Sequence, residues 1–128
     1  MIYEEKTIET IPVGPLGLVP LKSCTELGNK VNEYLVNWRQ ERESEHKSTI
    51  AFAGYQRDSY IIGAKTPRFG SGEAKGALEE SVRGDDLYIM VDVCNYSLTY
   101  SLCGMTNHMS PDDHFQDLKR IIAAAAGK

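Results

Sequence analysis

Phe69, Ser71 and Glu73 stand at alternate positions of the glycine-rich run Arg68-Phe-Gly-Ser-Gly-Glu73. Alternate residues of an extended segment share one face. A ring with two hydrogen-bonding groups on one face suits a planar heterocycle such as adenine, which stacks on the ring and is read along its polar edge. The same spacing describes a half-buried strand with a polar rim, and by itself it favours that plainer account. A second group follows in Ser81-Val-Arg-Gly84. There a hydroxyl and a guanidinium fall on the same side of an extended segment, and the planar fork of Arg83 matches two phosphate oxygens. Ion pairing of Arg83 with Glu80, Asp85 or Asp86 fits equally well.

Other chemistries find less support. His108-Met-Ser-Pro-Asp-Asp-His114 contains two histidines and two acids, types that ligate metals. Their spacing matches no familiar site, and a helix start already uses four of these residues. Ser110 caps, Pro111 takes the first helical position, and Asp112 and Asp113 complement the dipole. No metal site is expected. There is no G-x-x-x-x-G-K-[ST]. Gly70-Ser71-Gly72 lacks the third glycine and the following helix of a dinucleotide fingerprint. No serine lies in G-x-S-x-G, and no cysteine has a local histidine partner.

The elements around these groups follow from pattern and punctuation. Pro12, Pro15 and Pro20 with Gly14 and Gly17 suit an extended segment, with a short strand over 18–21. Ser23 and Thr25 are both candidate N-caps of a helix running to about Glu43. Its apolar positions Leu27, Val31, Tyr34, Leu35 and Trp38 read as one core-facing stripe, and the charge run 39–47 as a solvated helix end. Residues 49–52 and 60–62 read as strands of a hairpin turning through 55–59. Residues 74–80 hold a further short strand, and 86–93 is an apolar run of buried-strand length. Residues 94–110 read as a long polar loop. The final helix is expected to bury Phe115, Leu118, Ile121, Ile122 and Ala125, with Gly127 as its C-cap.

Composition sets the outer bounds. The chain has 128 residues, 41% hydrophobic and 25% charged, which fits one soluble domain. A net charge of -4 argues against a broad nucleic-acid footprint. No apolar run is long enough to span a bilayer, and the N-terminus lacks the order of a signal peptide. Three widely spaced cysteines without C-x-x-C read as reduced thiols of a cytoplasmic protein. A strand–loop–strand–helix order calls for another parallel strand after Lys128, so a longer polypeptide is expected.

Taken together, Arg68-Phe-Gly-Ser-Gly-Glu73, then Glu80-Ser-Val-Arg-Gly-Asp-Asp86, then Leu-Tyr-Ile-Met90 resembles the N-terminal domain of ribose-phosphate pyrophosphokinase, also called PRPP synthetase. Residues 23–35 and 114–127 look like that family's first and second helices, so the resemblance covers most of the chain. It implies an α/β fold: a three-layer sandwich with a mostly parallel sheet, of the phosphoribosyltransferase type, formed by residues 1–128 as a single domain. It implies an enzyme in which the anomeric hydroxyl of ribose 5-phosphate attacks the β-phosphorus of Mg-ATP and AMP leaves, giving phosphoribosyl pyrophosphate for nucleotide biosynthesis. The positions of Phe69, Ser71 and Glu73 would contact the adenine of ATP, Phe69 by stacking. Those of Ser81 and Arg83 would bind phosphate or ADP as an effector at a subunit interface, which implies a homo-oligomer. Ser71 stands where the family has Asp or Asn, and there are insertions around 36–60 and 95–109. The family's downstream motifs are absent. The catalytic residues, the Mg2+ ligands and the ribose 5-phosphate site are therefore expected beyond Lys128, and the isolated chain is expected to be inactive. Two other classes remain open: a non-catalytic regulatory homologue, and a stand-alone nucleotide- or phosphate-binding module.

Overall fold

The computed structural model describes residues 14–45 and 57–127. Strand β1 (Leu16–Pro20) leads through a 3₁₀ turn into helix α1 (Thr25–Ser44). Two short strands follow, β2 (Ala64–Lys65) and β3 (Ala77–Leu78), then β4 (Asp86–Met90). β5 (Thr99–Leu102), β6 (Met105–His108) and helix α2 (Pro111–Ala126) complete the described chain.

β1 pairs in parallel with β4, Leu18 opposite Tyr88. On its other edge Leu18 bridges Ile61, also in parallel: the Leu18 amide donates to the Tyr60 carbonyl and the Ile62 amide to the Leu18 carbonyl, both at 2.8 Å. β1 is therefore an interior strand, which explains its nearly continuous apolar sequence. Its side chains divide between two clusters. Leu16 and Leu18 join Tyr60 beneath Val31, Leu35 and Val36 of α1. Val19 joins Ile62, Leu78, Val82 and Ile121 of α2. The chain is α/β, with a small parallel sheet and two antiparallel pairs, β2–β3 and β5–β6.

Most expected elements are present, with several corrections. The strands expected over 18–21, 74–80 and 86–93 correspond to β1, β3 and β4. The 49–52 strand and residues 55 and 56 of the 55–59 turn lie outside the described residues. Residues 60–62 pair with β1.

The N-cap of α1 is Cys24, and no side chain caps it. Ser23 Oγ instead accepts from the Asp92 amide at 2.9 Å, tying the helix start to the end of β4, and Thr25 is already helical. Of the expected apolar stripe, Leu27, Tyr34 and Trp38 are exposed. The arc that faces β1 is narrower, centred on Gly28, Val31 and Leu35.

α2 starts as expected. Ser110 Oγ accepts from the Asp113 amide at 3.2 Å, and Asp113 Oδ2 accepts from the Ser110 amide at 2.9 Å, forming a capping box ahead of Pro111. Ser110→Ala should cost about 1 kcal/mol, read as a lower urea midpoint with an unchanged slope. Gly127 caps the other end in a right-handed conformation, φ -95. The buried face differs from expectation. Phe115 and Ile122 are exposed, whereas His114 and Asp117 are buried with Ile121. The inward arc is 114–117–121, one position round from the purely apolar one, because Asp117 has a buried partner described below.

The expected loop 94–110 contains the β5–β6 hairpin, turning through Cys103 and Gly104 at φ 51 and 75. Two successive positive φ values are the signature of the primed turn that matches strand twist.

Candidate functional site

The run from Pro67 to Lys75 is a tight hairpin. The Lys75 amide donates to the Pro67 carbonyl, and the Phe69 amide to the Glu73 carbonyl, each at 2.9 Å. The Gly72 amide closes the tip on the Phe69 carbonyl at 2.8 Å, and Gly72 has φ +86. This is a three-residue loop with glycine in the left-handed position that such loops require. The extended geometry expected for Phe69, Ser71 and Glu73 is thus corrected. Phe69 and Glu73 face one another across the hairpin, and directly opposed residues present their side chains to the same face. Ser71 is exposed at the tip. A ring and a carboxylate still converge, by pairing across a turn rather than by alternation along a strand.

Phe69 is 55% exposed, and Trp38, Tyr88 and Phe115 are exposed to a similar degree. Glu73 is anchored: its Oε1 accepts from Arg120 Nη2 of α2 at 2.9 Å. Beneath them lies a residue to which the sequence assigned no role. Arg68 has only 8% of its side chain exposed. Its guanidinium donates to Asp117 Oδ1 at 2.7 Å and to the carbonyls of Gly72 and Asp113 at 3.3 Å. Tyr100 of β5 lies over it, 5.0 Å from guanidinium carbon to ring centroid. Burial pushes the Asp117 carboxyl above the usual carboxylate range, against the pull of Arg68 and a hydrogen bond from Thr66. A signal for this buried pair existed in the sequence: an acid at 117 between His114 and Ile121, where an apolar residue would be expected.

Ser81 and Arg83 lie elsewhere, in a turn at the head of β4. The Asp85 amide donates to the Val82 carbonyl at 3.0 Å, with Gly84 at φ +78. Val82 is buried and its neighbours Ser81 and Arg83 point outward. Two of the three acids that could have engaged Arg83 have other partners: Asp85 lies 4.0 Å from Arg57, and Asp86 Oδ2 accepts from the Gly14 amide at 3.4 Å. Among the described residues the Arg83 guanidinium forms no ion pair.

The remaining reactive residue types have structural surroundings. His108 Nδ1 meets the Tyr96 carbonyl at 2.9 Å and its ring stacks on Tyr96; His114 Nε2 meets the Asn95 carbonyl. Both fasten the segment after β4. Burial raises the Cys24 thiol, the opposite of an activated nucleophile. Among the described residues, no helix is long and apolar enough to cross a membrane.

The family model of the N-terminal domain of ribose phosphate pyrophosphokinase matches residues 16–128. The chain belongs to this family. No curated protein and no solved structure matches it. The family places the chain among domains of a phosphate-transferring enzyme that makes phosphoribosyl pyrophosphate, and its match spans the 68–74 hairpin, the 81–85 turn and both helices.

Proposed function

We propose that this chain is the N-terminal domain, residues 1–128, of a ribose-phosphate diphosphokinase. That enzyme moves the pyrophosphoryl group of ATP to the anomeric hydroxyl of ribose 5-phosphate. The hydroxyl oxygen forms a bond to the β-phosphorus, the bond from that phosphorus to the oxygen bridging to the α-phosphate breaks, and AMP leaves. The domain supplies adenine contacts through Phe69, Ser71 and Glu73. The observation that carries this reading is the exposed Phe69 ring opposite Glu73 on a hairpin held from below, within the family match. A ring open to solvent on an anchored hairpin is available for a base to stack on. Ser71 at the tip is the adaptable member.

In this reading Ser81 and the outward Arg83 bind a phosphate or ADP effector at an interface between copies of the chain, and the enzyme is a cytoplasmic homo-oligomer. The three-layer sandwich is supported by the two clusters on opposite sides of β1. Mg2+ arrives with ATP. Among the described residues no group of three His, Cys, Asp or Glu could hold a metal. Alone, the domain is inactive.

The test is AMP formation from Mg-ATP and ribose 5-phosphate by the full-length protein. Base stacking on an aromatic is worth about 1–3 kcal/mol, so Phe69→Ala should raise the KM for ATP roughly fivefold or more. Arg83→Ala should spare catalysis and blunt the response to phosphate and ADP. An ATP KM unchanged in Phe69→Ala overturns the adenine assignment. Absence of ribose 5-phosphate-dependent AMP formation by the wild type overturns the enzyme reading.

A further inference from the structure

Two ion pairs of opposite sense fasten the hairpin to α2. On the strand entering the tip, Arg68 meets Asp117 at 2.7 Å; on the strand leaving it, Glu73 meets Arg120 at 2.9 Å. Asp117 and Arg120 are three residues apart, hence neighbours on one helix face. The hairpin presents a cation then an anion, and the helix an anion then a cation. The reversed pairing, Arg68 with Arg120 and Glu73 with Asp117, would make two like-charge contacts. Exposed ion pairs add little stability, but like-charge juxtaposition is costly, so the crossed arrangement selects an orientation. Arg120 holds its place even though its Nε is buried without an acceptor among the described residues.

We infer that Asp117 and Arg120 are positioning residues for nucleotide binding: through Arg68 and Glu73 they fix the direction in which the hairpin presents the Phe69 ring and the Glu73 carboxylate to the base. The inference rests on the adenine reading above. α2 contributes no contact to the nucleotide itself. Its part is to keep the two base-facing groups from turning with the hairpin.

The test compares Arg120→Ala, Arg120→Lys and Phe69→Ala in the full-length protein by steady-state kinetics. Arg120→Ala should raise the ATP KM roughly fivefold or more, with kcat, the KM for ribose 5-phosphate and the melting temperature nearly unchanged. Arg120→Lys restores the charge and should return the ATP KM to near the wild-type value. A purely structural Arg120 would lower the melting temperature without a selective effect on ATP. An ATP KM raised by Phe69→Ala but unaltered by Arg120→Ala overturns the positioning role and leaves the adenine reading standing. An ATP KM unaltered by Phe69→Ala overturns both. Should Arg120→Ala fail to fold, Arg120→Gln, which keeps the stem and a donor without the charge, must show the same selective rise.

Discussion

Asp117→Ala should destabilise the protein by about 3 kcal/mol, and Asp117→Asn by much less. The Arg68 and Asp117 side chains are 8% and 9% exposed, so removing the carboxylate strands a guanidinium that water reaches poorly. Two carbonyls at 3.3 Å remain, and neither carries a full charge. Asparagine keeps an acceptor oxygen in the same place. The site also tolerates a neutral group, because burial already holds the Asp117 carboxyl above its ordinary range.

The pH dependence carries a definite sign. With the folded value raised, the unfolded chain ionises first as pH climbs, which draws the equilibrium toward unfolding. The stability associated with Asp117 is therefore full below the ordinary carboxylate range and is lost as pH rises through the raised value. Asp117→Asn has no such component. The unfolding free energy of the wild type minus that of Asp117→Asn should fall as pH rises above the ordinary carboxylate range, measured by urea titration at each pH. A difference that rises with pH would show that Arg68, not burial, dominates the carboxyl.

Gly76→Ala should cost about 3 kcal/mol, at the upper end of ordinary overpacking. A Cβ at this position would overlap the Arg120 carbonyl and lie 3.0 Å from the Ile121 amide nitrogen. These are backbone atoms of α2 and cannot rotate away, so either β3 or the helix must move. The gain from stiffening the unfolded chain offsets less than about 1 kcal/mol of this. The displacement would also carry Arg120 away from Glu73. Gly76→Ala should therefore lower the denaturant midpoint and raise the ATP KM together. Wild-type stability in this variant would mean that α2 does not approach the segment before β3 this closely.

The elements legible in the residues are those specified within a few positions along the chain. Ser110, Pro111 and Asp113 define the start of α2 through bonds spanning three residues, and the structure reproduces them. The glycine-rich run and Ser81-Val-Arg-Gly84 marked turns, and together carried the family that the match over 16–128 shows. The β5–β6 hairpin was less legible, because its strands are polar and Cys103-Gly104 is not a usual turn pair.

What tertiary structure decided is which faces are inside and which groups meet. Leu27, Tyr34 and Trp38 share a helical stripe with Val31 and Leu35, yet only the latter two reach the cluster around β1. The width of the buried arc depends on what lies opposite, and helical periodicity carries no record of that. Phe69 and Glu73 converge because a turn folds one strand back on another, whereas alternation would have aligned all three candidates on a single strand. Arg68 meets Asp117 from 49 residues away and Arg120 meets Glu73 from 47, distances over which no local preference acts. Caps, turns and glycine positions are local energies and are written in the sequence itself. The crossed ion pairs exist only once α2 has docked on the hairpin, because only packing brings those charges together and, for Arg68 and Asp117, removes the water that would otherwise screen them.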